Sequence, residues 1–198
     1  AWAKLPFDQL AQAVYNHTFE VMTALKKAKV KTEWVQVGNE IPGGMLWPDG
    51  STNNWKQLGI LLNKGYDAVK AVDKSIKVIV HLDEGDNDVI GLSYYPFWVK
   101  KDYTETIANL AFNLNDMVTR YNKEVMVVEV GGEYDKVQNT YEMLAATIKA
   151  VKNVPNNKGL GVIYWEPQGE KSWSGYSLCG WQSDGKPLPA LDAFKELI

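Results

Sequence analysis

Trp34-Val35-Gln36-Val37-Gly38-Asn39-Glu40 decides how the rest of this chain is read. It is a short β-prone apolar run that stops abruptly in a polar pair, and the pattern recurs along the sequence. Ile76–Val80 ends at His81-Leu82-Asp83, and Val89–Ser93 ends at Tyr94-Tyr95-Pro96. Val125–Val128 ends at Glu129, and Leu160–Trp165 ends at Glu166. Between these runs, apolar residues recur at intervals of three and four, the spacing of amphipathic helices, over Phe7–Ala28, Trp55–Val72, Tyr103–Tyr121 and Val137–Val151. A last helix is expected from about Pro189 to Leu197. Continuous apolar strands alternating with helices describe a parallel sheet covered on both faces, hence an α/β fold. A doubly wound nucleotide-binding sheet would want a glycine-rich G-x-G-x-x-G turn, which is absent. Polar residues gathered just past the carboxyl ends of strands instead favour a (β/α)₈ TIM barrel, whose chemistry occupies that rim.

Length and spacing complicate this picture. The chain has 198 residues, room for one domain, whereas a complete barrel needs about 250. The five strands are best numbered four to eight of a barrel, so residues 1–198 are expected to form a single, incomplete catalytic domain. Only Leu82 through Asn87 separate the second strand from the third, and parallel strands need a crossover of a dozen or more residues. Either a helix is missing, with a break near Gly85-Asp86, or Asp83-Glu84-Gly85-Asp86 forms a hairpin and the third strand runs antiparallel.

Composition excludes several functions. The net charge of −3 offers no electrostatic footprint for nucleic acid or for an anionic membrane. Arg120 is the lone arginine, which removes the usual bidentate phosphate clamps. Cys179 is the lone cysteine, so neither an internal disulfide nor a cysteine-rich zinc site is expected. No apolar run is long enough to span a bilayer, and residues 1–30 lack a signal peptide's basic start and apolar middle. Eight tryptophans are many for this length, and Trp47, Trp98, Trp173 and Trp181 fall in loops. Taken singly, each is better read as packed beneath its loop than as an exposed ligand platform, with Trp98 and Trp173 the two candidates for outer binding sites.

Glu40 and Glu129, each at the end of a strand, are the candidate catalytic pair. Two carboxylates about 5–5.5 Å apart across a sugar ring carry out retaining glycoside hydrolysis, one as acid/base and the other as nucleophile. Two rim glutamates alone are weak support, since such residues are commonly solvated or salt-bridged.

The flanking residues add a resemblance. Val35-Gln36-Val37-Gly38-Asn39-Glu40 and Val127-Val128-Glu129 resemble the strand-4 and strand-7 signatures of the large clan of (β/α)₈ retaining glycosidases. Three stretches, Trp34 to Ile41, Ile90 to Trp98 and Gly161 to Pro167, together with Ser177-Leu178-Cys179-Gly180-Trp181 and Gly185-Lys186-Pro187-Leu188-Pro189, resemble glycoside hydrolase family 53, the endo-β-1,4-galactanases. The resemblance runs in order along nearly the whole chain. It implies Glu40 as general acid/base, Glu129 as nucleophile and Asn39 as partner of the sugar 2-hydroxyl. It further implies Trp165 beneath the sugar at the cleavage site, with a barrel-core tryptophan as the alternative. A tyrosine hydroxyl is a natural donor to an ionised nucleophile, and Tyr95 or Tyr94, after the preceding strand, is the candidate. His81 matches a rim position and is read as substrate-facing or, equally, as a satisfied core histidine. Ser93 falls on the same rim.

The implied activity is retaining hydrolysis of β-1,4-galactan side chains of pectic arabinogalactan without a cofactor. A polymeric substrate in turn implies an extracellular or cell-surface location. The alternatives are a clan-related β-glycanase, such as a mannanase or cellulase, or a non-catalytic glycan-binding fragment. The chain departs from the family at Val130-Gly131-Gly132-Glu133-Tyr134, and its short loop there offers too few oxygens for the calcium some members hold, so no metal is expected. Glu133 competes for the nucleophile's role but lies four residues past the strand, and Glu166 is read as a structural rim carboxylate.

Overall fold

The structure is a computed structural model, and it describes residues 2–81 and 88–196. Its elements alternate as the apolar spacing predicts. Helix α1 (Phe7–Lys27) precedes strand β1 (Trp34–Val37), α2 (Trp55–Val72) and β2 (Lys77–Val80). Strand β3 (Val89–Tyr94), α3 (Tyr103–Tyr121), β4 (Glu124–Val130), α4 (Val137–Lys152) and β5 (Gly159–Tyr164) follow. Two short helices, α5 (Lys171–Ser174) and α6 (Ala193–Glu196), complete the set, α6 being preceded by a 3₁₀ turn at Pro189–Asp192 where one continuous helix was expected. The strands take the order of the chain, β1-β2-β3-β4-β5. Among the described residues no helix is long and apolar enough to cross a membrane.

The chain divides into two compact units, residues 1–90 and 91–198, with the boundary inside β3. In the first unit β1 pairs parallel with β2, Val35 opposite Val78 and Val37 opposite Val80. Strand β2 then pairs parallel with the start of β3, Ile79 opposite Val89 and Val80 opposite Ile90. This parallel register overturns the hairpin alternative. Residues 82–87, where a break was expected, lie outside the described residues. Helix α2 packs the sheet through Leu58, Leu62 and Val69, which join Val37, Val78 and Val80 in one buried cluster. Gly65 lets α2 approach β1 closely, since a Cβ there would lie 2.6 Å from Val37 Cγ1. Leu10, Ala11 and Val14 of α1 bury against Leu61. At the amino-terminal end of the strands, Lys70 Nζ reaches Asp88 Oδ2 at 2.7 Å and the Ile76 carbonyl at 2.6 Å. The Val78 amide donates to the same Asp88 oxygen at 2.8 Å, which ties the entry of β3 to β2.

In the second unit β4 pairs parallel with β5, with register shifts between Val125 and Val130. Strand β4 is buried from Val125 to Val130, as a central strand between helices should be. Helix α3 begins with a complete capping box, Asp102 accepting from the Thr104 amide while Glu105 accepts from the Asp102 amide. Leu110, Leu114 and Val118 form its buried stripe. Burial on both faces was expected of every strand, yet β1 and β5 are largely half-buried. The reason is their place, for the first and last strands of the order have one strand neighbour each.

Candidate active site

Glu40 is set by the turn that ends β1. Gly38 takes φ +79°, and a Cβ there would meet Ile41 at 2.9 Å, so the glycine is required. Glu40 itself holds φ +41°, left-handed backbone that a non-glycine residue adopts at a cost of about 1–3 kcal/mol. Two contacts hold it there. The Glu40 amide donates to His81 Nδ1 at 3.1 Å, and the Ile41 amide donates to the His81 carbonyl at 3.3 Å. His81, at the end of β2, is 2% exposed. Burial lowers its pKa from the ordinary histidine value, against the opposing pull of the nearby Glu40 charge. A neutral ring accepting at Nδ1 carries its proton on Nε2. Of the two sequence readings, the geometry places His81 as a buried support for the Glu40 backbone. One residue before Glu40, Asn39 Oδ1 accepts from Gln36 Nε2 at 2.9 Å, which fixes the side-chain amide and leaves its Nδ2 group for a hydroxyl oxygen. Asn39 and Glu40 are both solvent-exposed.

In the second unit, Glu129 lies in β4 and is 6% exposed. Tyr95, following β3, donates its hydroxyl to Glu129 Oε2 at 3.2 Å. Burial is the main cause holding the Tyr95 pKa far above the phenol value, and the neighbouring Tyr176 and Glu129 add to it, so Tyr95 remains a donor. Tyr176, which the sequence reading did not single out, shares a hydrogen bond with Tyr95, and burial raises its pKa as well. Tyr164 at the end of β5 donates to the Leu178 carbonyl at 2.9 Å and accepts from the Gly132 amide at 3.3 Å, which fastens the loop after β4 to the segment before Cys179. Tyr94, the other candidate donor, instead shares a hydrogen bond with Thr106 Oγ1 at 2.8 Å.

The remaining rim residues take varied positions. Ser93 is half-buried within β3. Trp165 follows β5, its amide bonded to the Val130 carbonyl at 3.0 Å, and is 42% exposed. Trp98 is 62% exposed and meets Phe97 edge-on, and Trp173 in α5 is 71% exposed. Trp47 is equally open. Loop packing, the reading preferred for each singly, therefore fails at three of the four loop tryptophans and holds better at half-buried Trp181. Glu133 forms an ion pair with Lys136 at 2.6 Å and so serves its own loop.

The chain matches the model of glycosyl hydrolase family 53 in two segments, residues 1–87 and 83–194. An arabinogalactan endo-β-1,4-galactanase of Humicola insolens is 32% identical over 199 residues, taking in 81% of this chain and 59% of that protein. The chain thus spans about three fifths of the length of the curated relatives it matches. Among solved structures, a GH53 catalytic domain of Ignisphaera aggregans aligns with a TM-score of 0.88 at 26% identity, covering 99% of this chain and 67% of that one. A structure from a study of two fungal β-1,4-galactanases aligns at 0.81 and 28% identity, covering 96% and 69%. With five parallel strands and their helices as part of a (β/α)₈ barrel, the chain belongs to glycosyl hydrolase family 53.

Proposed function

We propose that the chain supplies the catalytic pair of a retaining endo-β-1,4-galactanase. The observation that carries this reading is Glu129, buried at a strand end under a tyrosine hydroxyl, in a chain whose other unit ends a strand in Asn39-Glu40. A carboxylate that accepts a hydrogen bond from a permanently protonated phenol is favoured in its ionised form, as a nucleophile must be. Glu40 is exposed to solvent, open to a bound sugar and to water, as an acid/base must be.

In the first step Glu40 gives its proton to the glycosidic oxygen while a Glu129 oxygen bonds to the anomeric carbon, releasing the leaving chain as an alcohol. In the second, Glu40 takes a proton from water, the hydroxide equivalent attacks the same carbon, and Glu129 leaves as a carboxylate. Asn39 Nδ2 donates to the sugar 2-hydroxyl oxygen, and the Trp165 indole lies against the sugar's C–H face. Ser93, Trp98 and Trp173 extend the sugar-contacting surface, and His81 supports Glu40. No cofactor or metal enters. The galactanase names of its relatives favour β-1,4-galactan as the substrate, and a polymer of that size favours action outside the cell or at its surface.

The domain assignment belongs to the same proposal: residues 1–198 are one catalytic domain shortened between His81 and Asp88. The split family match, and an alignment that runs over 199 residues while taking in 81% of this chain, both support an internal segment present in relatives and missing here.

Glu40→Gln and Glu129→Gln test the reading. Each is expected to lower kcat/KM on β-1,4-galactan by about 10²–10⁴-fold or more while galactan binding persists, and NMR of the first product should show the β anomer. Binding with no hydrolysis by the unsubstituted chain selects the glycan-binding alternative. Preference for mannan or cellulose selects another clan activity, and an α product rules out double displacement.

A further inference from the structure

A cavity of about 450 Å³ opens in the second unit between the loop after β3 and the loop after β4. That volume is within the range of small-ligand sites. Its chemistry differs from that of the neutral-sugar surface proposed above. Lys100, Lys101 and Lys136 line it, against the carboxylates of Asp102 and Glu133. Both carboxylates are already engaged: Glu133 pairs with Lys136 at 2.6 Å, while Asp102 accepts from the Thr104 amide at 2.9 Å and from Asn139 Nδ2 at 2.7 Å. Among the described residues Lys100 and Lys101 have no carboxylate partner. Two adjacent lysines without a carboxylate partner among the described residues therefore line a cavity in a chain whose net charge is −3.

The turn that presents them is fixed. The Lys100 amide bonds the Phe97 carbonyl at 3.0 Å, the Lys101 amide bonds the Pro96 carbonyl at 3.2 Å, and Lys100 holds φ +56°. Phe97 and Tyr103 add aromatic surface to the wall. Gly131 and Gly132 also line the cavity, bare backbone packed so tightly that a Cβ on Gly132 would lie 2.5 Å from Thr140 Oγ1. Lysines and aromatic residues lining one cavity match a ligand with one carboxylate and an apolar C–H face.

We propose that this cavity binds a carboxylate-bearing pyranose, a uronate, with Lys100 and Lys101 as the charge partners. The choice of a sugar rests on the galactanase reading, and the uronate nearest to a galactosyl unit is galacturonate, with a carboxylate in place of the C6 hydroxymethyl. Gly131 and Gly132 lie two and three residues beyond Glu129, so the site adjoins the candidate nucleophile's strand. An acidic sugar on or next to the galactan would be held there while the neutral chain is cut.

Amide NMR titration of the full chain with D-galacturonate, D-galactose and inorganic phosphate tests this. Galacturonate is expected to shift the Phe97, Lys100, Lys101, Gly131 and Gly132 resonances to saturation and to bind at least about tenfold more tightly than galactose or phosphate. The Lys100→Gln/Lys101→Gln variant, which changes two exposed side chains, should lose at least about tenfold in galacturonate affinity and keep its hydrolysis of neutral β-1,4-galactan. Galactose binding equally well, phosphate binding equally well, or an unchanged affinity in the double variant would each overturn the proposal. The titration reads no turnover, so a failure of the galactanase reading shows in the hydrolysis assay while this outcome stands by itself.

Discussion

Tyr95 hydrogen-bonds the Glu129 carboxylate and His81 the Glu40 amide, and the two bonds have opposite consequences for pH. Tyr95 donates to Glu129, so Tyr95→Phe removes a stabilising partner of the ionised carboxylate. The acid limb of the kcat/KM profile on galactan is expected to move to higher pH, with a rate loss of about tenfold or more and little change in melting temperature; an unmoved limb would deny Tyr95 this role. His81 accepts from the Glu40 amide only when neutral, and burial keeps its folded pKa below the ordinary value near 6.5. The unfolded chain therefore takes up the proton first. The stability His81 contributes is complete above about pH 6.5 and is lost as pH falls from there through the lower folded value. Melting temperature should decline over that window in the unsubstituted chain, and the His81→Gln variant should flatten the decline; a parallel slope would place the titrating group elsewhere. The placement of Asn39, Glu40 and Glu129 at strand ends was legible in the sequence because a strand end is marked by where an apolar run stops. Tyr176 was not, since it joins Tyr95 across a long stretch of chain from a loop without periodicity.

Helices and strands follow from apolar spacing because burial of one helical stripe drives their formation, and α3 shows the agreement best. Its observed span, Tyr103–Tyr121, is the span of the three-and-four pattern, opened by Asp102 and Glu105 as a reciprocal cap. Close packing is harder to read, because a glycine on a helix looks the same whether it is open or pressed against a strand. Helix α2 holds one of each. A Cβ at Gly65 would drive into Val37, so Gly65→Ala is expected to destabilise the chain by about 1–3 kcal/mol through overpacking against β1. At Gly59 a Cβ meets nothing within 4 Å, so Gly59→Ala should stabilise by up to about 1 kcal/mol through helix propensity. Urea denaturation of the two variants measures both, and the same sign for both would refute this distinction between the two faces of α2. The short helix α5 and the 3₁₀ start of the final segment escaped the pattern because one turn offers too few positions to show a period.

Strand order along the chain exposes what length alone only suggested. Parallel pairing of β2 with β3, with only eight residues of sequence between Val80 and Val89, was the feature the hairpin alternative could not accommodate, and the register decides it. The same order leaves β1 and β5 as terminal strands, and each carries a large apolar side chain into solvent, Trp34 at 41% and Ile163 at 44% exposure. A terminal strand with apolar side chains is a template for pairing with another chain, and natural proteins blunt such strands with charge, especially lysine. The 198-residue chain is therefore expected to self-associate as its concentration rises, seen as a growing sedimentation coefficient. Ile163→Lys places an ammonium on β5 at a position open enough to tolerate it, with a stability change within about 0.5 kcal/mol. If β5 mediates the association, Ile163→Lys shifts the sedimentation toward the monomer at equal concentration, and Trp34→Lys does the same for β1. A variant that sediments like the unsubstituted chain excludes its own strand from the contact, and a chain that stays monomeric throughout shows that both terminal strands are blunted without charge.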